Sequence, residues 1–467
     1  MSNKAATSAV AAPTKRLPLA TKLAFGAGDL APAIATVIPS FFQFFFLTNV
    51  AGLNPFLAGT IRAILTIWDA VNDPLVGWLS DRTRSRLGRR RPWILYGAVP
   101  FGVIYALQWV VPPFGEAGKF IYYLVVGLLF NMAFTIVNVP YTALTAELTN
   151  DYDERTSLNA YRFAFSVGGS LIAGALHPMI VDQYSNPTTG YLVSGAVWGG
   201  LCILPFLWCV AGVRERPLPD AAEQQLSIWE QFRTALSNQP YLFVIGIYLF
   251  SWLAVQFTSA IIVPYVTFWL QRTDLIPISL LAVQGSAFVW LFLWSVISRR
   301  IGKKMVYIVG MCFWVLVQAL LFFVQSDQAN LALGLAVLAG IGISTAYIVP
   351  WSMLPDAVDI DELQSGQRRE GVFYGLIVLL QKFGLAIGQF LMGVLLAQAG
   401  YISNEASNVA SEAIVQPESA LFAMRLLIGP VPAIMLIIGM VIAFYYPIDK
   451  QRHAEIQAEL AARRAVP

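Results

Sequence analysis

The chain has 467 residues, of which 57% are apolar and 12% charged, about half the charged share of a soluble protein, and its mean hydropathy is +0.64. No water-soluble core of this length hides so many apolar side chains, so a soluble enzyme is excluded and a lipid bilayer is the expected solvent. The formal net charge of +3, from 30 Lys and Arg against 27 Asp and Glu, is too balanced for a nucleic-acid partner.

Residues 1–18 read as a short mobile tail without the apolar run and cleavage site of a signal peptide. Beyond them, apolar runs give twelve candidate spans at 20–48, 55–80, 93–112, 118–148, 157–181, 191–212, 240–270, 276–298, 304–325, 329–355, 371–399 and 419–447. A spanning helix needs about 20 residues, so twelve fit the length. The basic residues test the count. Arg82 to Arg91, Arg155, Arg214, Arg216 and Arg233, Arg299 to Lys304, and Arg368 with Arg369 fall in alternate gaps, and both tails are basic as well. The remaining gaps hold only Lys119 and Arg272. Basic loops collect on the cytoplasmic side, so both termini are expected in the cytoplasm and the protein in the plasma, or bacterial inner, membrane.

The polar stretch 213–239 reads as a cytoplasmic linker between 19–212 and 240–447, with 448–467 as a second cytoplasmic tail. Internal repetition supports this cut. Arg86-Leu-Gly-Arg-Arg90 is echoed by Arg300-Ile-Gly-Lys-Lys304 after 214 residues, and Val139-Pro-Tyr-Thr-Ala-Leu144 by Val349-Pro-Trp-Ser-Met-Leu354 after 210. The expected fold is an all-α integral membrane protein, twelve helices in two pseudo-symmetric six-helix bundles, the architecture of a transporter that rocks about a midplane site.

Cys202, Cys209 and Cys312 lie in apolar stretches without metal spacing and read as core filler. His177 and His453 read as surface residues, and no paired His/Cys site, nucleophile elbow or phosphate loop calls for a cofactor or an enzyme.

Ionisable residues inside spans are functional candidates, because each costs on the order of 3 kcal/mol at mid-bilayer. Asp69 and Asp73 are one helical turn apart on span 2, so both carboxylates leave one face, with Asn72 beside them and Arg62 and Thr66 on the same stripe. Hard oxygen ligands of this kind suit a small monovalent cation or a shared proton. The other reading is a salt-bridge network in which Arg62, Arg162 or Lys382 neutralises them. Asp29 is either a substrate or cation contact or a helix-packing carboxylate, and Arg162 either a substrate donor or a snorkelling arginine. Lys382 lies too deep in span 11 to snorkel. In the loop after span 2, Asp81 beside Arg82 suggests a charge latch that makes and breaks as access alternates.

At these residues the chain resembles the major facilitator superfamily, and within it the glycoside-pentoside-hexuronide:cation symporters, the group of melibiose permease. The most specific segment is Trp68-Asp-Ala-Val-Asn-Asp-Pro74 with Gly77 and the arginine-rich loop ending Arg91-Pro-Trp93. The resemblance implies a symporter that imports a small solute, a sugar or glycoside, with sodium or a proton. It implies a cation site of Asp69, Asn72, Asp73, Thr135 and Asn138, with sodium held by Asp69 and Asp73 if sodium is the ion. It further implies Lys382 as the coupling lysine and Arg162 as a sugar contact; Asp29 and Tyr141 complete the expected substrate site. The chain departs from the pattern where Asn138 replaces a span-4 Asp, Thr142 a nearby Trp, and Ala33 the sugar-binding Asp. The segment 139–144 is equally similar to lysophosphatidylcholine symporters, which makes a lysolipid the alternative solute. A non-transporting receptor on the same scaffold would not need the buried charges. The chain is expected to work as a monomer.

Overall fold

The computed structural model describes residues 17–149, 152–215, 233, 235–365, 369–403 and 414–464. Most of the expected N-terminal tail and most of the linker, residues 216–232, lie outside the described residues.

Local chemistry sets several helix starts. Asn54, Asn186 and Asn238 each cap a helix, the side-chain oxygen accepting from Phe56 N at 2.9 Å, Thr188 N at 2.9 Å and Tyr241 N at 3.0 Å, and a proline follows within two residues. A proline in the first turn gives up an amide that has no helical partner anyway.

The first span is broken at Gly28-Asp29 into α1 (Leu19–Ala27) and α2 (Leu30–Ile38), and it continues through π-helical turns at Pro39–Gln43 and Phe46–Val50. There follow α3 (Pro55–Arg82), α4 (Arg91–Leu107), α5 (Glu116–Leu148), α6 (Tyr152–Val181) and α7 (Pro187–Gly212). The second set comprises α8 (Gln239–Pro264), α9 (Ile276–Ile301), α10 (Lys303–Phe323), α11 (Ala329–Ser365) and α12 (Glu370–Gln398). Its last span is interrupted at Gly429 into α13 (Glu418–Ile428) and α14 (Pro430–Phe444), and α15 (Lys450–Arg464) ends the described chain. Among the described residues, ten helices are long and apolar enough to cross a membrane. Two of the expected spans fall outside that set: α4 has only 17 residues, and α3 is made polar by Arg62, Asp69, Asn72 and Asp73.

Two bundles result. Helices α1 and α2 pack on α6 and α7, and α4 on α5 and α7; in the second set α11 packs on α9 and α10, and α14 on α8 and α10. Between the sets, α3 lies against α12 and α6 against α9. The repeats seen in the sequence are matched in space. Gly88 and Gly302 adopt φ of 107° and 85°, a region closed to most side chains, and each delivers basic residues to a carboxylate on the fourth span of its bundle. Arg89 donates to Glu147 at 2.7 Å and Lys303 to Asp356 at 2.7 Å. Phe46–Val50 has its counterpart in the π turn Tyr265–Trp269, and each is followed by a positive-φ residue, Gly52 at 78° and Gln271 at 52°.

Some expectations need correction. Cys312 is exposed, because it sits on the outward side of α10, whereas Cys202 and Cys209 are buried. His177 is fully buried, not on the surface: Phe42 of the first π turn, Trp109 just past α4 and Tyr191 of α7 surround the ring, which bonds Ser194 Oγ at 2.8 Å. His453 reaches Asp356 at 3.3 Å. The tail after 447 is not simply solvent-exposed, since α15 packs on α11 and buries Ile456 and Leu460. Helix α11 runs to Ser365, ten residues past the expected span end.

The two ends of the molecule differ. At the end holding the arginine-rich turns, the ion pairs among the described residues each close within one bundle, as Lys22–Glu154, Arg90–Glu147, Lys303–Asp356 and Arg369–Asp361 do. At the opposite end the bundles are bonded together. The Tyr401 hydroxyl donates to Asn49 Oδ1, Ser403 Oγ donates to Leu53 O at 2.8 Å, and Phe56 meets Phe390 at 5.7 Å between ring centroids. Helices α3 and α12 approach closely there through Gly59 and Gly393. A Cβ on Gly393 falls 2.5 Å from Pro55 O and 3.0 Å from Gly59 Cα, so any larger residue must part the helices. Gly393→Leu is therefore expected to open this end. A cysteine placed at Asn49, which is buried, then reacts several-fold faster with a membrane-impermeant maleimide, and an unchanged labelling rate contradicts the closed end.

Candidate functional site

The α3 sequence places Asp69 and Asp73 on one face, and that face meets α12. Lys382 Nζ stands 2.7 Å from Asp69 Oδ2 and 2.6 Å from Asp73 Oδ2, and it also donates to Asp69 O at 3.2 Å. One lysine of the second bundle thus holds both carboxylates of the first. Thr135 Oγ1 on α5 donates to Asp73 Oδ1 at 3.0 Å, so Asp73 joins three helices. Asn72 Nδ2 bonds Asn131 O at 3.4 Å, and its Oδ1 is buried without a partner. The side chains of Asp69 and Asp73 are 26% and 36% exposed although they lie midway along α3, and Asp69 faces the cavity. An ion pair that is not fully enclosed can be exchanged for another cation at lower cost than a buried one.

Beside this triad is a cavity of about 440 Å³, lined by α2 and its first π turn and by parts of α3, α5, α8, α11 and α12. Asp69 and Lys382 form part of its wall. Six glutamines face it, Gln43, Gln108, Gln256, Gln284, Gln381 and Gln389, together with Asn131 and the aromatic Trp252 and Tyr347. These amides and hydroxyls sit among apolar residues such as Val37, Phe41, Leu65, Phe130, Phe134 and Leu385, a mixed lining that can both hydrogen-bond and pack against a solute.

A model of the MFS/sugar transport protein family matches residues 24–450. The chain belongs to this family. Among relatives of this MFS chain is an uncharacterized symporter of Synechocystis, 39% identical, with 96% of this chain and 98% of that protein covered. The sodium-dependent lysophosphatidylcholine symporter 1-A of Danio rerio is 29% identical over 94% of this chain and 87% of its own. A bacterial homolog of the human lysosomal transporter Spinster, in an inward-facing and unoccupied conformation, superposes with a TM-score of 0.65 at 13% identity, covering 94% of this chain and 97% of that one. That last likeness bears on the fold alone.

Other residues singled out in the sequence lie elsewhere in this MFS chain. Asp29 accepts from Arg162 Nη2 at 3.1 Å, and the guanidinium rests 5.1 Å from the Tyr141 ring centroid. Tyr141 is wholly buried and gives its hydroxyl to Phe25 O at 2.7 Å. These three form a packed unit outside the cavity wall, and half-buried Asn138 does not line the cavity either. Asp81 pairs with Arg90, not with Arg82, which stacks on Trp78 at 4.0 Å. Arg90 also donates to Ser80 Oγ and to Glu147 at 3.1 Å. Glu215, which sequence reasoning passed over, accepts from the backbone amides of Arg89, Arg90 (2.9 Å) and Arg91 (2.6 Å) at the start of α4, where the helix dipole favours a carboxylate. The glutamines were also missed. Their only signal is helical spacing, as in Gln381 and Gln389 on α12, and a neutral amide does not stand out in an apolar run.

Proposed function

We propose that the protein is a secondary active symporter importing a small hydroxylated solute, a sugar or glycoside, with sodium or a proton, by alternating access. The observation that carries this reading is Lys382 bridging Asp69 and Asp73 across the two bundles. In the absence of the coupling ion, lysine bridges the carboxylates, offsetting one of their two charges, and ties α12 to α3. A monovalent cation that takes its place, with Thr135 and the free oxygen of Asn72 as further ligands, releases that tie and changes which arrangement of the bundles is stable. Cation and solute then each raise the affinity for the other, with a coupling of about 1–3 kcal/mol.

The bonded end opposite the basic turns supports an inward-facing arrangement, with the basic turns and both termini in the cytoplasm and the protein in the plasma, or bacterial inner, membrane. The domain division at 213–239, a latch of Asp81 with Arg90 in place of Asp81 with Arg82, and action as a monomer belong to the same reading. The six glutamines of the cavity wall support a sugar, while the apolar residues between them are the surface that a lysolipid, the solute in one relative's name, would use. The deciding experiment is uptake of a solute panel into proteoliposomes with sodium and proton gradients imposed separately. One gradient is expected to drive accumulation; if neither does so for any solute, symport is lost and a receptor built on this scaffold takes its place.

A further inference from the structure

Six arginines between Arg82 and Arg91 crowd the turn from α3 to α4, and among the described residues they meet three carboxylates. Arg89 pairs with Glu147, Arg90 with Asp81 and Glu147, and Glu215 accepts from the amides at the start of α4. Arg84 and Arg86 are exposed with no carboxylate partner among the described residues, and exposed Arg82 stacks on Trp78. The turn carries an unbalanced positive charge.

An apolar groove of about 320 Å³ begins beside it, between Trp93, Tyr96, Gly97 and Pro100 of α4 and Ala133 and Ile136 of α5. Gly97 sets its floor, since a Cβ there falls 2.7 Å from Val137 Cγ1 and 2.8 Å from Ile136 Cγ2. The groove faces away from the central cavity, whose α5 lining is Phe130, Asn131 and Phe134, and Tyr96 at its rim is 72% exposed. From the start of α4 to Pro100 the helix rises roughly 12 Å, most of the roughly 15 Å of hydrocarbon in one leaflet. Groove and basic turn are joined: Trp93 Nε1 donates to Thr83 Oγ1 at 2.8 Å, which brings Arg82 and Arg84, the neighbours of Thr83, to the groove's mouth. An occupant needs an anion at one end and an apolar chain at the other. We infer that this is a site for one anionic phospholipid of the leaflet beside the basic turns, its phosphate held by Arg82, Arg84 and Arg86 and one acyl chain lying in the groove. Arginine forks match phosphate oxygens, and basic clusters at the ends of spans attract acidic head groups. The site stands apart from the cation and solute sites and does not depend on symport.

The test is native mass spectrometry of the purified full-length protein in detergent, titrated with dioleoyl phosphatidylglycerol or dioleoyl phosphatidylcholine and read as the affinity of the first lipid bound. A basic residue beside an acidic head group contributes roughly fivefold, so phosphatidylglycerol is expected to bind at least about 10-fold more tightly than phosphatidylcholine, and Arg84→Gln combined with Arg86→Gln to erase that preference. Tyr96→Ala, which removes the rim, should weaken both lipids several-fold and leave the preference in place. Arg299→Gln combined with Arg300→Gln, in the exposed basic turn of the second bundle, should change neither. All five side chains are exposed, so these variants fold, and an unaltered Tm without lipid checks it. An excess of glycerol 3-phosphate, the soluble head group, should not displace the lipid. Equal affinity for the two lipids, a preference unchanged in the Arg84 and Arg86 variant, an equal loss in the Arg299 and Arg300 variant, no effect of Tyr96→Ala, or displacement by glycerol 3-phosphate overturns the inference.

Discussion

Lys382→Ala is expected to abolish net uptake while sparing exchange. In the structure one ammonium bridges two carboxylates at 2.6 and 2.7 Å and offsets one of their two charges. A coupling cation must displace that ammonium, so without it the cation binds more tightly, by roughly 10–100-fold if one charge-assisted contact of 1.5–3 kcal/mol is relieved. The carrier without cation pays for the change, since two carboxylates one turn apart are left facing each other in the membrane interior. Net accumulation requires the empty carrier to return through that state, and solute exchange at saturating cation does not. Net uptake into proteoliposomes should therefore fall at least 100-fold while counterflow of labelled solute stays within a few-fold of wild type. Net uptake at the wild-type rate would falsify the role of Lys382 as a stand-in cation.

Asp73→Asn has the second large effect, of a different kind. Asp73 accepts from both Lys382 and Thr135, so the amide removes one of the two negative charges that a cation needs and leaves Lys382 to Asp69 alone. Solute binding should persist, because Asp73 is not part of the cavity wall, but it should no longer respond to sodium or to protons. The enhancement of about 5–150-fold expected of a coupled pair is lost, and the measurement is solute affinity by titration calorimetry with and without the ion. Asp73→Asn combined with Lys382→Ala removes one charge of each sign, and the two substitutions should not add, as befits residues in direct contact. If ion dependence survives in Asp73→Asn, the cation site lies elsewhere.

Much of the fold was legible because its determinants are local. Hydropathy over about 20 residues marks a span without reference to any neighbour, and the echoed basic turns fall at matching places in the two bundles, where Gly88 and Gly302 both adopt positive φ. The pairing of Asp69 with Asp73 on one face likewise needs only the period of the helix. His177 was misjudged for the opposite reason. A histidine near a helix end looks solvated in one dimension, and only the tertiary packing of Phe42, Trp109 and Tyr191 around it buries it.

By itself, then, the sequence determined the solvent, the helices and which charges the membrane interior must hold, since these follow from single-residue transfer energies and a fixed helical period. The tertiary structure decided which charges meet. Lys382 stands more than 300 residues from Asp69 and Asp73 and was one of three candidate partners; the packing of α12 on α3 selects it, while Arg162 goes to Asp29 and Arg62 is left to neutral amides. The same packing gathers six glutamines from separate helices around one cavity, because a site between two bundles exists only once the bundles face each other.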